Sequence, residues 1–284
     1  MGDLIQTVQS MGQPRNDIDF FLVSAESISL PLKNLLDEFF VKTFYINESL
    51  RLRLEDYNNF ENLDTDLTLI LESINLKEIN ALINLSWSKS ATILSSLITS
   101  PIKLGLVFDS QFNISSYDDW SKFVFTNVLN TKLSPFSLVD IYKNIIGTSP
   151  LTPLKKQEGF NKESFNIILH PFSSGERKVW DICKWKEVIK NILSDNASSN
   201  ITIIGSFAEK EKAYEIYSFK DSQIYKKRLN VLISNDSIDD IQKVIKEADL
   251  FVGHDSMVGH LSSLNNVKCL TISLGTVRYN ETTP

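Results

Sequence analysis

Cysteine is nearly absent from this chain: Cys183 and Cys269 are the only two in 284 residues, far apart and outside any CxxC spacing. That scarcity excludes a disulfide framework and a structural zinc site, and it fits a reducing cytosol best. Basic charge is not in excess. With 29 Lys and Arg against 35 Asp and Glu the formal net charge is -6, which excludes the dense cationic face that a general nucleic-acid surface needs to neutralise phosphates. No apolar run approaches the roughly 20 residues of a spanning helix. The opening MGDLIQTVQSMG has neither the basic start nor the apolar stretch of a signal peptide, so any membrane contact is expected at the surface only. The phosphate loop GxxxxGK[ST] is missing, and no repeat at solenoid spacing is visible. Histidine is also rare, yet two of its three occurrences fall in DLFVGHDSMVGHLSSL, Asp249 to Leu264.

What is present is 42% hydrophobic residues, enough for a substantial core, in a length that points to two domains. Short β-branched or aromatic runs alternate with longer amphipathic stretches. This is the pattern of repeated βα units, parallel sheets covered by helices. Predicted strands are 19–25, 41–46, 79–86 and 102–108 in the first half, and 165–171, 200–206, 249–254 and 267–273 in the second. SLPLKNLLDEFF, SATILSSLI, SPFSLVDIYKNIIG, WKEVIKNILSD, AEKEKAYEIYS and SIDDIQKVIKEA read as helices. The segment 147–164, with two prolines, two glycines and no consistent period, reads as a linker. The expected organisation is an α/β protein of two Rossmann-like lobes facing a cleft, 1–150 and 151–284. GDLIQTVQSMG looks like a glycine-led helix start with no strand before it, and LGTVRYNETTP stops directly after a strand. The first N-terminal strand and the C-terminal end are therefore expected to be lacking.

Three pieces carry candidate chemistry. In FVGHDSMVGHLSSL a strand ends near Gly253 and a helix starts near Ser256 or Met257. Strand carboxyl edges are where open α/β sheets bind ligands, and helix N-termini suit phosphates. Asp255 and Ser256 then cap the helix, Gly259 lets a ligand approach closely and His260 lies one turn in; alternatively Asp255 is only an N-cap and His260 a polar residue near a loop. His254 and His260 lack a metal-binding helical spacing and no third ligand stands out. In ILHPFSSGERKVWDICKW, hydroxyls (Ser173, Ser174), backbone N–H groups and cations (Arg177, Lys178) suit a diphosphate, against the alternative of a solvated basic loop. In IIGSFAEKEKAYEI, Glu209 stands where a carboxylate accepts from ribose hydroxyls or complements a helix dipole.

In this order, HPFSSGERKVW, IIGSFAEKE and HDSMVGHL resemble the nucleotide-binding half of glycosyltransferase family 9, the heptosyltransferases of lipopolysaccharide core assembly, and GDLIQTVQSM resembles that family's Gly-Asp motif. The resemblance spans nearly all of the chain, thin between residues 11 and 160. It implies a fold of the two-lobed GT-B type, with an acceptor-side lobe and a nucleotide-sugar lobe. The implied activity is inverting, metal-independent transfer of a heptose or related sugar, from ADP-heptose to a lipopolysaccharide core or other glycan, with no cofactor beyond the substrate nucleotide. Asp3 would match the general base and Lys178 the lysine that neutralises the leaving diphosphate. Ser173 and Ser174 would be hydroxyl contacts, Glu209 the ribose ligand, and Asp255, Ser256, Met257 and His260 the lining of the sugar-diphosphate site. His254 has no counterpart. NLSWSKSATIL resembles the acceptor lobe's strand-loop-helix, so Trp87 and Lys89 would face an anionic glycolipid, against the alternative of a core tryptophan and a surface charge. The implied place is the cytoplasm, with peripheral contact to the inner membrane.

Two departures stand against the family pattern. Met257 occupies a glycine position, where a side chain crowds a diphosphate, and Asp3 has no preceding strand to hold it. They motivate the alternative of a non-catalytic nucleotide- or glycan-binding relative. A nucleotide-sugar epimerase of the same fold is a third reading.

Overall fold

The computed structural model describes residues 1–58, 65–130, 134–148, 164–219, 222–234 and 238–275. The expected linker, over 149–163, and the tail from 276 onward lie outside them. The chain divides into two compact units, Thr7–Pro150 and Leu151–Pro284, with Met1–Gln6 belonging to the second.

In the N-terminal unit, helix α1 (Gly2–Met11) continues out of the other unit. Strand β1 (Phe21–Ala25) then pairs in parallel with β2 (Lys42–Ile46). The single helix predicted over SLPLKNLLDEFF is broken into α2 (Glu26–Ser29), a 3-10 turn (Leu30–Leu32) and α3 (Lys33–Leu36). Pro31 is the cause, because it has no N–H to give and its ring collides with the preceding turn. Helices α4 (Glu48–Asp56) and α5 (Thr65–Asn75) follow. Next come β3 (Ala81–Asn84), α6 (Lys89–Leu97) and β4 (Ile102–Phe108), with β3 and β4 parallel. Strand β5 (Ile114–Ser116) is antiparallel to β4. The unit closes with α7 (Asp119–Asn130) and α8 (Leu138–Ile146), the latter started by a Ser137–Asp140 capping box and ended at Gly147 with φ 75.

The sheet of this unit is in two pieces, β1-β2 and β3-β4-β5, with no described strand joining β1 to β3. One core, including Phe44, Ile46, Leu50, Leu67 and Ile93, serves both. Helices α4, α5 and α7 and strand β5 had not been anticipated.

The C-terminal unit is a five-stranded, wholly parallel sheet in the order β10-β9-β6-β7-β8. Its strands are β6 (Asn166–His170), β7 (Asn200–Ser206), β8 (Leu229–Ser234), β9 (Leu250–Gly253) and β10 (Lys268–Thr271). Between them run α9 (Ile182–Asp195), α10 (Lys210–Tyr217), α11 (Asp239–Lys246) and α12 (Met257–Leu264). Ile167, Leu169, Trp185, Ile189, Ile201 and Ile203 form the core of one face, each large side chain stabilising by roughly 1.5–3 kcal/mol. Arg228 closes the far end of α9, its guanidinium donating to the Leu193 and Asn196 carbonyls at 2.8 Å each. From β6 the chain winds outward through β7 and β8, then returns to lay β9 on the other side. The order therefore reverses between β6 and β9, the place where such sheets open a crevice. Among the described residues no helix is long and apolar enough to cross a membrane.

Candidate functional site

The carboxyl ends of β6 and β9 are neighbours, with His170 opposite Gly253. Two loops leave from there and are stitched together. Ser173 Oγ donates to the Asp255 carbonyl at 2.9 Å. The Trp180 N–H donates to His254 Nε2 at 2.9 Å, and His254 Nδ1 lies 3.1 Å from the Ile272 carbonyl. Since Nε2 accepts, Nδ1 carries the proton and donates, which fixes the tautomer. The His254 N–H itself reaches the His170 carbonyl at 3.3 Å. His254 is fully buried, and that burial holds its pKa below the ordinary histidine value, keeping the neutral ring that this pair of bonds requires. One of the two clustered histidines is thus a staple binding the β6 loop to the segment after β10.

The other histidine belongs to an ionic cluster. Lys178 ends a 3-10 turn (Glu176–Lys178) closed by its own N–H on the Gly175 carbonyl. Its Nζ lies 3.4 Å from Asp255 Oδ2, and His260 Nε2 lies 3.4 Å from Asp255 Oδ1. Burial alone would raise the Asp255 pKa. The hydrogen bond and charge of His260, with the Lys178 ammonium, outweigh it and hold the carboxyl below the usual carboxylate range. Asp255 is not the helix cap. Ser256 is, in extended conformation, its Oγ accepting from the Gly259 N–H at 3.5 Å. Helix α12 starts at Met257, which is half-buried in the first turn, and the open N–H groups of such a turn favour anions. The arrangement can hold a diphosphate with one ammonium and one helix mouth, Asp255 keeping the ammonium in place beforehand.

Ser173, Lys178, Asp255, Ser256, Met257 and His260 are therefore brought together. Ser174 and Arg177 are exposed on the same loop. Glu209 stands at the end of the adjacent strand β7, where its Oε2 accepts from the Ser206 N–H and hydroxyl at 2.8 Å each in a capping box. Asp3 is exposed in the first turn of α1. The residue before it, Gly2, packs on the imidazole of His260: a β-carbon built on Gly2 would lie 3.1 Å from His260 Cδ2. No sequence signal announces that contact. His170 was read only as a strand end; it is buried with Nδ1 lacking a partner, and burial pushes its pKa down to about 4.

In the N-terminal unit Trp87 is 41% exposed and stacked on Phe125, with centroids 6.2 Å apart. Lys89 Nζ donates to the Glu55 carbonyl at 2.6 Å, and the Ser90 N–H to the Glu55 carboxylate at 3.2 Å, tying α6 to the end of α4.

Comparison with known proteins places these features in context. Residues 72–274 match the model of glycosyltransferase family 9 (heptosyltransferase). No curated protein matches the chain. Among solved structures the chain is similar to E. coli heptosyltransferase WaaC with ADP, at 15% identity, covering 99% of this chain and 86% of that one, TM-score 0.67. It is similar to E. coli ADP-heptose lps heptosyltransferase II, at 14% identity, covering 100% and 84%, TM-score 0.63. A family 9 glycosyl transferase from Veillonella parvula DSM 2008 also matches, at 14% identity, covering 93% and 83%, TM-score 0.56. At these identities the structural likeness speaks to the fold.

Proposed function

We propose, from the fact that this chain belongs to glycosyltransferase family 9, that it transfers a heptose or related sugar from a nucleoside diphosphate to a lipopolysaccharide core or another glycan. The donor best supported is ADP-heptose, because the similar E. coli structures carry ADP or ADP-2-deoxy-2-fluoro heptose. The observation that carries the reading is the Lys178–Asp255–His260 cluster at the mouth of α12, beside the reversal of strand order. In the reaction the acceptor oxygen forms a bond to the anomeric carbon as that carbon's bond to the diphosphate oxygen breaks. The acceptor proton passes to the Asp3 carboxylate, and the nucleoside diphosphate leaves with the bonding electrons. A single displacement inverts the anomeric centre. Negative charge developing on the leaving group meets the Lys178 ammonium and the first-turn N–H groups of α12, already placed before the chemistry begins. Ser173, Ser174, Ser256 and Met257 border the same site, and Glu209 takes the ribose hydroxyls. The unit Thr7–Pro150 takes the acceptor, with Trp87 offering an exposed aromatic face, and the protein works in the cytoplasm, visiting the inner membrane surface.

Calorimetry of the purified protein against ADP, UDP and GDP tests the donor assignment: ADP binds most tightly, and binding of none of them overturns it. Met257 at the helix mouth supports a second reading, a relative that binds the nucleotide without turnover. ADP affinity combined with no release of ADP from ADP-heptose in the presence of lipopolysaccharide core would favour it. Conversion of the nucleotide sugar with no acceptor present would instead point to an epimerase.

A further inference from the structure

Gly2 has a helical backbone with φ outside the left-handed region, so no conformational demand calls for glycine there. Space does. A β-carbon at that position would lie 3.1 Å from His260 Cδ2 and 3.5 Å from Nε2. Gly2 and His260 lie in the same compact unit. The imidazole has little freedom to retreat, because the residue is 5% exposed and its Nε2 is engaged with Asp255 Oδ1 at 3.4 Å. Through the other oxygen of Asp255 the same ring is tied to Lys178. One buried imidazole therefore links the cation meant for the leaving group with the helical turn that bears Asp3.

We propose that His260 is a positioning residue for the general base: its ring edge is the seat on which the first turn of α1 rests, setting Asp3 at a fixed distance from the leaving-group cluster. The proposal rests on the glycosyltransferase reading for the role of Asp3. The seat accounts for glycine at position 2, since any side chain there lifts the turn off the ring. A displacement of a few tenths of an ångström at the seat is passed directly to the next residue, and transfer rates fall steeply with such misplacement of a base. A methyl group at position 2 leaves Lys178 and the first-turn N–H groups of α12 in place, so donor affinity changes little.

The test is a double-mutant cycle of Gly2→Ala and His260→Ala, read as ADP affinity by calorimetry and as kcat for release of ADP from ADP-heptose with delipidated lipopolysaccharide core. Gly2→Ala is expected to lower kcat by about 3- to 10-fold with ADP affinity within about twofold. In the His260→Ala background, where the ring is gone, the same methyl group has no further effect on kcat. Equal losses in both backgrounds, or none in either, overturn the proposal. Hydrogen exchange of the segment 2–11 gives a readout independent of turnover: His260→Ala accelerates it, and an unchanged rate also overturns the seat. If the unmodified protein bound ADP and released none from ADP-heptose, the transferase reading would fall alone, and exchange of α1 would still decide whether His260 holds it.

Discussion

Lys178 and Asp255, 77 positions apart, meet at 3.4 Å across the point where the strand order reverses. Both are partly buried. The pair keeps an ammonium oriented beside a helix mouth, a place that favours anions; on the proposed transferase reading this is the cation for the leaving diphosphate. On that reading, Lys178→Ala removes charge that matters most when the leaving group becomes negative. The expected outcome is a fall in kcat of about 10² to 10³, with ADP affinity weakened less than tenfold. Steady-state kinetics beside calorimetry check it, and an unchanged kcat would remove the residue from the mechanism.

His254 makes a prediction of another kind. Its two ring nitrogens join the Trp180 N–H to the Ile272 carbonyl, so truncation leaves a partly buried donor and a partly buried acceptor unmatched. His254→Ala is expected to destabilise the C-terminal unit by about 1–3 kcal/mol. Because Trp180 lies two residues after Lys178, the loop should loosen as well. Denaturant unfolding followed by tryptophan fluorescence gives the first quantity and ADP titration the second; a variant with native stability and unaltered affinity would refute the staple.

Much of the C-terminal unit was legible because parallel strands buried on both faces read as apolar runs. NITIIGS and FNIILHP announce themselves in that way, and the order of loop motifs on their ends brought Lys178, Asp255, Ser256 and His260 to one place on paper. Strand β8 was not legible: LNVLIS follows a cationic stretch and carries Asn230 within it. Strand β5 has three residues and no period to detect. Pro31 marked the break between α2 and α3, but the apolar spacing around it looked continuous. Tertiary contacts were the least visible. Nothing local says that His254 accepts from Trp180, that Gly2 abuts His260, or that Lys89 reaches back to Glu55.

That last contact divides the two acceptor-side candidates. The Lys89 amine is spent on the Glu55 carbonyl near the end of α4, a favourable place for a cation beside a helix C-terminus. Lys89→Met is therefore expected to cost about 1 kcal/mol of stability while leaving the acceptor KM within twofold. Trp87→Ala should instead raise the acceptor KM by about tenfold through loss of an exposed stacking face, with about 1 kcal/mol or more of stability lost along with the Phe125 stack. Thermal unfolding and initial rates with varied lipopolysaccharide core separate them; a rise in KM for Lys89→Met would reverse the assignment.

His170 yields a pH dependence with a definite sign. Burial holds its pKa at about 4 in the folded protein, against 6.5 in the open chain. Between those values the unfolded chain binds a proton that the folded one does not, so lowering the pH stabilises the unfolded state. The contribution is absent above pH 6.5, grows as the pH falls, and levels off below the folded pKa. Between pH 7 and pH 5 it amounts to about 2 kcal/mol. Substitution to Asn retains a polar side chain that does not titrate. Urea unfolding of the C-terminal unit at both pH values should show the protein losing stability on acidification by that amount more than His170→Asn does. Equal losses in the two proteins would mean that the imidazole is accessible to protons at the end of β6, and the buried neutral ring described for that position would have to be abandoned.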